Sequence, residues 1–222
     1  MLNDRTKRTS KSGFTLFEVM ITLFLAVLVL GAAVEFFVES SRMAFVSEQK
    51  NLINNDIRKL TSELSDNARA ANYFVLYKSF KNTDHDSAGD RLAESNAGDY
   101  IVLVFQGPLP TLISQTRPIS AIIGYYRAPV DPSNPTSMGP VRKFEISFSP
   151  ASTAPLESLL PDESLINSSN FPKIIELSEG LADGNLFYNF WNKSIVVNGK
   201  IIHGNEAKRV TETYNFTISP RG

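Results

Sequence analysis

From Phe14 to Val38 the chain is almost continuously apolar, broken by Glu18 and, near the far end, by Glu35. A helix that crosses a bilayer needs about 20 such residues, and this stretch has the length. Ahead of it, Arg5, Lys7, Arg8 and Lys11 stand against a single acid, Asp4. Positive charge on that side predicts a cytoplasmic N-terminus, with the rest of the chain crossing. A secretory signal peptide has a shorter apolar region, about 7–15 residues, closed by a small-residue cleavage site. Nothing like Ala-x-Ala closes this run. Gly31-Ala32-Ala33 comes nearest, and these serve equally well as small residues at a helix–helix contact. Glu18 is the peculiar residue. A carboxylate in hydrocarbon costs roughly 2.5–3.5 kcal/mol on insertion scales, which marks it for a function. The alternative is an interfacial acid near a helix start, where the helix dipole favours negative charge.

The junction Lys11-Ser12-Gly13-Phe14-Thr15-Leu16-Phe17-Glu18 resembles the type III signal of the type IV pilin superfamily. In that family a basic leader ends in glycine, phenylalanine usually follows, and glutamate sits fifth after the cut. The resemblance covers Lys11 to about Val38. It implies that prepilin peptidase cuts between Gly13 and Phe14 on the cytoplasmic side and methylates the new Phe14 amine. It also implies that Glu18 pairs with the Phe14 amine of a neighbouring subunit during assembly. Two opposite charges in a low-dielectric environment are each costly alone and much less costly together.

Removal of the leader would leave 209 of the 222 residues, enough for one long helix and one globular head. The leader's four basic residues and one acid account for a net charge of −1 before the cut and −4 after it. Nothing there implies a polyanion-binding surface. With no cysteine, a head outside the cytoplasm must be stable without disulfides. Zinc–thiolate sites, redox dithiols and cysteine nucleophiles are excluded. Many major type IV pilins differ here, because their heads carry a disulfide-closed C-terminal loop. No Gly-x-Ser-x-Gly, Gly-x-Gly-x-x-Gly or His-Glu-x-x-His occurs, so no catalytic set is expected. The two histidines, His85 in a polar loop and His203 at a strand end, read as surface residues. Asn167, Asn192 and Asn215 begin Asn-x-Ser/Thr triplets, which matter only in a eukaryotic secretory setting.

Past the apolar run the helical pattern continues, with no proline before Pro108. Ile53, Ile57, Leu60, Leu64, Ala68 and Ala71 recur at steps of three and four, one face of a helix. Asn54, Asn55, Lys59, Glu63 and Asn67 would form the solvated face. A continuous helix over 14–71 would run about 87 Å at 1.5 Å per residue; the alternative is a break around 39–42. The remainder reads as antiparallel strands. Tyr100–Phe105 is apolar throughout, as in a strand covered on both faces. Ile122–Tyr126, Phe144–Phe148, Ile174–Leu177 and Leu186–Trp191 follow. Asn198-Gly199 predicts a hairpin between Ser194–Val197 and Lys200–His203. Alternation from Val210 to Ile218 ends the pattern, giving six to eight strands. Polar loops are expected at 81–98, 107–119, 129–140 and 150–172. The expected fold is α+β, a long helix packed on an antiparallel β-sheet head. Its segments are a leader (1–13), a transmembrane and assembly helix (14–38), an amphipathic continuation (39–71) and a periplasmic head (72–222).

Two binding candidates remain. Asp84, Asp86 and Asp90, with Gly89 among them, offer hard oxygen ligands suited to calcium, though without an EF-hand's central acid and closing glutamate. Lys193, Lys200, Lys208, Arg209 and Arg221 are diluted by Glu206 and Glu212, so no nucleic acid is expected. Within the superfamily the head is large. Asp56-Ile57-Arg58, Asn67-Ala68-Arg69 and the pairing of Gly124-Tyr125-Tyr126-Arg127 with Val141-Arg142-Lys143-Phe144 are similar to the J-type minor pseudopilin of type II secretion. So are Ile175-Glu176-Leu177, Glu179-Gly180-Leu181, Leu186-Phe187-Tyr188 and Trp191. That resemblance implies a non-enzymatic, single-pass inner-membrane subunit without a cofactor. Its partners would be prepilin peptidase and the other minor and major pseudopilins, met through the N-terminal helix. The alternatives are a minor type IV pilin for adhesion, motility or DNA uptake, and a signal-anchored periplasmic binding protein or enzyme.

Overall fold

The computed structural model describes residues 13–109, 117–131, 133–134, 137–205 and 208–220. The basic leader through Ser12, Glu206 and Arg221 lie outside the described residues. A single helix, α1, runs Leu16–Ala70, straight through the candidate break at 39–42. The chain divides into two compact parts, one ending at Ser47 and one covering Glu48–Gly222. In the first, every described residue through Ala44 is exposed.

In the second part, α1 lays one face on a sheet. Ile53, Leu60, Leu64 and Ala68 are fully buried, Ala71 is nearly so, and Ile57 is half-buried. Burying a large aliphatic side chain contributes roughly 1.5–3 kcal/mol. Polar pairs flank the stripe. Lys50 meets Glu212 at 3.2 Å, Asp56 meets His203 at 2.9 Å, and the Asn67 amide donates to the Tyr125 hydroxyl at 2.6 Å. Glu63 lies 3.9 Å from Lys143. Asn67 and Glu63 therefore sit half-buried at the border of the stripe, in reach of the sheet, rather than on a fully solvated face.

The strands are β1 (Tyr73–Tyr77), β2 (Ala97–Gly98), β3 (Tyr100–Gln106), β4 (Ile119–Arg127), β5 (Gly139–Ser152), β6 (Lys173–Gly180), β7 (Phe187–Phe190), β8 (Ser194–Asn205) and β9 (Lys208–Ile218). All pair antiparallel in the order β1-β3-β4-β5-β6-β8-β7-β2, with β9 on the other side of β8. Tyr100–Val104 is buried throughout, as a strand covered on both faces must be. The β4 and β5 segments singled out in the sequence pair directly, Gly124 with Phe144 and Arg127 with Val141.

The hairpin expected at Asn198-Gly199 does not form. Both residues lie inside β8, opposite Asn215 and Tyr214. Gly199 answers a close approach rather than a turn, since a Cβ there would stand 2.5 Å from the Tyr214 hydroxyl and 2.7 Å from Leu186 Cδ1. Gly124 is covered in the same way by the Phe144 ring, its partner in register. A ring lying over a cross-strand glycine restores the packing that the missing side chain gives up.

Two expected loops carry structure. The 81–98 segment holds β2 and short 3-10 turns, and it buries His85 at 3% exposure among Tyr77, Phe80 and Tyr100. His85 is thus a core residue, not a surface one. The 150–172 segment starts in β5, then covers the sheet face opposite α1, with Leu156 buried and Leu159, Leu160, Ile166 and Phe171 packed beside it. Hydrogen bonds fix this cover: Tyr77 to Glu157, Tyr126 to the Ile166 carbonyl, and Arg142 to the Phe171 carbonyl.

Candidate assembly site at the N-terminal junction

Thr15 and Glu18 open α1 by capping each other. The Thr15 amide donates to Glu18 Oε2 at 2.9 Å, the Thr15 hydroxyl donates to the same oxygen at 3.1 Å, and the Glu18 amide donates to Thr15 Oγ1 at 3.3 Å. This reciprocal arrangement satisfies helix-start amides that have no partner within the helix. The Thr-x-x-Glu spacing that produces it was present in the sequence, but only the fold assigns Thr15 its part. Glu18 Oε1 carries no hydrogen bond among the described residues, so one carboxylate oxygen remains for a donor from elsewhere.

Of the described residues before the cap, Gly13 and Phe14 meet no packing from the rest of the fold. Phe14 is 84% exposed, and nothing lies within 4 Å of where a Cβ on Gly13 would stand. The same holds at Gly31. The fold thus gives no steric reason for glycine at either position. On both sides of Glu18, α1 leaves apolar side chains exposed around its circumference, among them Phe17, Met20, Leu23, Phe24, Val27 and Leu28. The helix is long and apolar enough to cross a membrane.

The other residues marked in the sequence do not assemble. Asp84 accepts from Ser79 at 2.5 Å, Asp90 accepts from the Ser87 amide and hydroxyl at 2.8 Å each, and Asp86 is exposed. No group of three or more acidic or histidine side chains is gathered to hold a metal ion among the described residues. Serines hold two of the three carboxylates of the calcium candidate in local hydrogen bonds. Lys200 pairs with Glu179 at 3.5 Å, while Arg209 sits at the start of β9 opposite Gly204.

A cluster that sequence reading missed joins Asp99 to Arg127. Arg127 is fully buried, grips both Asp99 carboxylate oxygens, and donates to the carbonyls of Ser137 and Gly184. The Leu186 amide donates to Asp99 Oδ1 at 2.9 Å. Burial pushes the Asp99 carboxyl up, against the pull of the Arg127 guanidinium. The cluster ties the ends of β3 and β4 to the start of β7.

Comparison with known proteins adds one finding. Residues 8–34 match the family model of the prokaryotic N-terminal methylation motif, which is typical of type IV pilins and pseudopilins. Neither the curated proteins nor the solved structures yield a match. The chain carries a pilin-type N-terminal methylation motif on a helix able to anchor it in a membrane by a single pass.

Proposed function

We propose that this protein is a minor pseudopilin of type II secretion, of the J type, a non-enzymatic subunit that helps initiate a short pseudopilus for protein export. Residues 1–13 are the leader, 14–38 the transmembrane and assembly segment, 39–71 its amphipathic continuation and 72–222 a periplasmic head. The observation that carries this reading is the methylation motif on a helix whose apolar side chains are all uncovered from Phe14 to Ala44. Such a surface needs lipid or other helices, and the motif supplies the class of helix.

Prepilin peptidase cuts after Gly13, where the open backbone offers no side chain to obstruct it, and methylates the Phe14 amine. In the membrane that amine and Glu18 are each costly alone. Pairing the Glu18 carboxylate with a neighbour's Phe14 amine removes both costs and sets the axial register between subunits. Other minor and major pseudopilins meet the chain through this helix.

The capping geometry allows charge and cap to be tested separately. Glutamine at the third helical position keeps a capping box but carries no charge. Glu18→Gln should insert, cleave after Gly13 and keep the helix start, yet fail to cross-link to partner subunits or to support export in cells lacking the parental copy. Glu18→Ala should fail similarly. Parental cross-linking and export by Glu18→Gln would show that Glu18 is only a helix cap, and the register role would be wrong.

A further inference from the structure

The two ends of the sheet are finished differently. Along β1, the Leu76 and Lys78 carbonyls accept from the Leu92 and Asp99 amides, so the 88–99 segment closes that edge. At the other end β9 pairs with β8 over its whole length in one unbroken register. No backbone hydrogen bond reaches its outer edge among the described residues.

The register tells which groups face outward. The Asn198 amide donates to Leu186 and its carbonyl accepts from Leu181, both on the β6–β7 side of β8. Asn198 therefore cannot bond its β9 partner, and the Asn198–Asn215 pair is a non-hydrogen-bonded one. By alternation the amides and carbonyls of Arg209, Thr211, Thr213, Asn215 and Thr217 all point away from the sheet, and all five residues are exposed. Natural edges are blunted by proline, bulges, short length or inward charge. From Thr211 to Ile218 β9 has no proline, glycine or bulge. Its one acid on the core face, Glu212, is neutralised by Lys50.

We infer that the outer edge of β9 is a strand-addition site for an extended segment of a different polypeptide, running with an acidic residue opposite Arg209. Main-chain bonds supply the affinity of such an addition, and side chains on alternate positions supply its selectivity. A second copy does not fit. The α1 contacts run from Glu212 on β9, through His203 on β8, to Lys143 on β5 and Tyr125 on β4, so the helix enters over the β9 edge. Pairing two β9 strands about a two-fold axis would crowd the two helix segments that carry Lys50 over one seam. The inference rests on the head alone and stands whether or not the secretion reading does.

The probe is a synthetic eleven-residue peptide of alternating threonine and valine with a glutamate opposite Arg209, added to the detergent-solubilised full chain. Hydrogen exchange should show protection confined to the amides of Arg209, Thr211, Thr213, Asn215 and Thr217, the alternate residues only. Replacing the peptide's glutamate by lysine should weaken binding roughly twofold to fivefold, the range of an exposed charge pair. Thr213→Pro should fold with the parental melting temperature, because the amide it removes is unpaired, and should abolish binding. Methylating the peptide's pairing-edge amides must abolish binding as well, and that control does not depend on the variant folding. Unprotected alternate amides at peptide saturation, retained binding by Thr213→Pro or by the methylated peptide, or a two-copy complex protecting the same amides would each overturn the inference.

Discussion

Between Leu16 and Ala44 every apolar side chain of α1 is exposed, whereas between Ile53 and Ala68 the same helix buries Ile53, Leu60, Leu64 and Ala68 completely. Both stretches are helical although each holds many residues of middling helix propensity, Val and Phe in the first and Asn, Asp and Ser in the second. They differ in arrangement. The first is apolar around its whole circumference, and the second confines its apolar residues to one stripe. A stripe is satisfied by one neighbouring sheet. An all-round apolar surface is satisfied only by lipid or by several other helices. The head's packing therefore explains the residues of the second stretch and none of those in the first. Their apolarity answers to a partner outside this chain.

The sharpest way to break this comparison is to place the same acid in each half. Leu60→Asp should destabilise the head by several kcal/mol, since it removes a buried aliphatic and buries an unpaired carboxylate. Leu28→Asp should leave the head's thermal unfolding unchanged and instead reduce membrane insertion. Near-UV circular dichroism of the detergent-solubilised chain and membrane fractionation read the two effects. Equal melting temperatures would refute the helix-on-sheet packing. Next in size, Arg127→Met should cost about 3–5 kcal/mol by leaving Asp99 buried without its cation. A loss under 1 kcal/mol would mean that the pair is not buried as described.

Acid should act on the head through His85. Burial holds its imidazole below the ordinary value of 6.5, and the nearby carboxylates of Asp86, Asp84 and Asp90 only partly oppose this. The folded head thus favours the neutral ring. Its contribution is complete above pH 6.5 and declines as pH falls through 6.5 toward the folded value, where the ring charges within the fold. His85→Phe should flatten the melting-temperature profile across that window. An unchanged slope would remove His85 from the account. The smallest effect belongs to Lys59, exposed on the far side of α1, where Lys59→Asp should shift stability by no more than about 0.5 kcal/mol.

What could be read from the sequence tracks how local each cause is. The α1 stripe, the two-sided burial of β3 and the alternation of β9 are periodic, so residue spacing alone reveals them. The N-terminal methylation motif over residues 8–34 is one contiguous stretch and was legible for the same reason. Asn198-Gly199 failed as a turn because Tyr214, on another strand, decides what Gly199 is for. His85 and the cover from Leu156 to Phe171 were missed because their segments carry no period. They are buried by tertiary closure over the rings of Tyr100, Tyr126 and Phe144. Asp99 and Arg127 lie on different elements, and only the register of β3 with β4 brings them together. β1, five residues directly after the helix, offered no turn signal to separate it from α1.

The central claim is that the exposed half of α1 is retained in the mature protein as an assembly helix. Intact-mass measurement of the membrane-extracted protein tests it most directly. The expected mass lacks Met1–Gly13 and carries one added methyl group on Phe14. A mature N-terminus near Ala33 would contradict the account, since the apolar stretch would then be a discarded signal peptide with no part in any assembly.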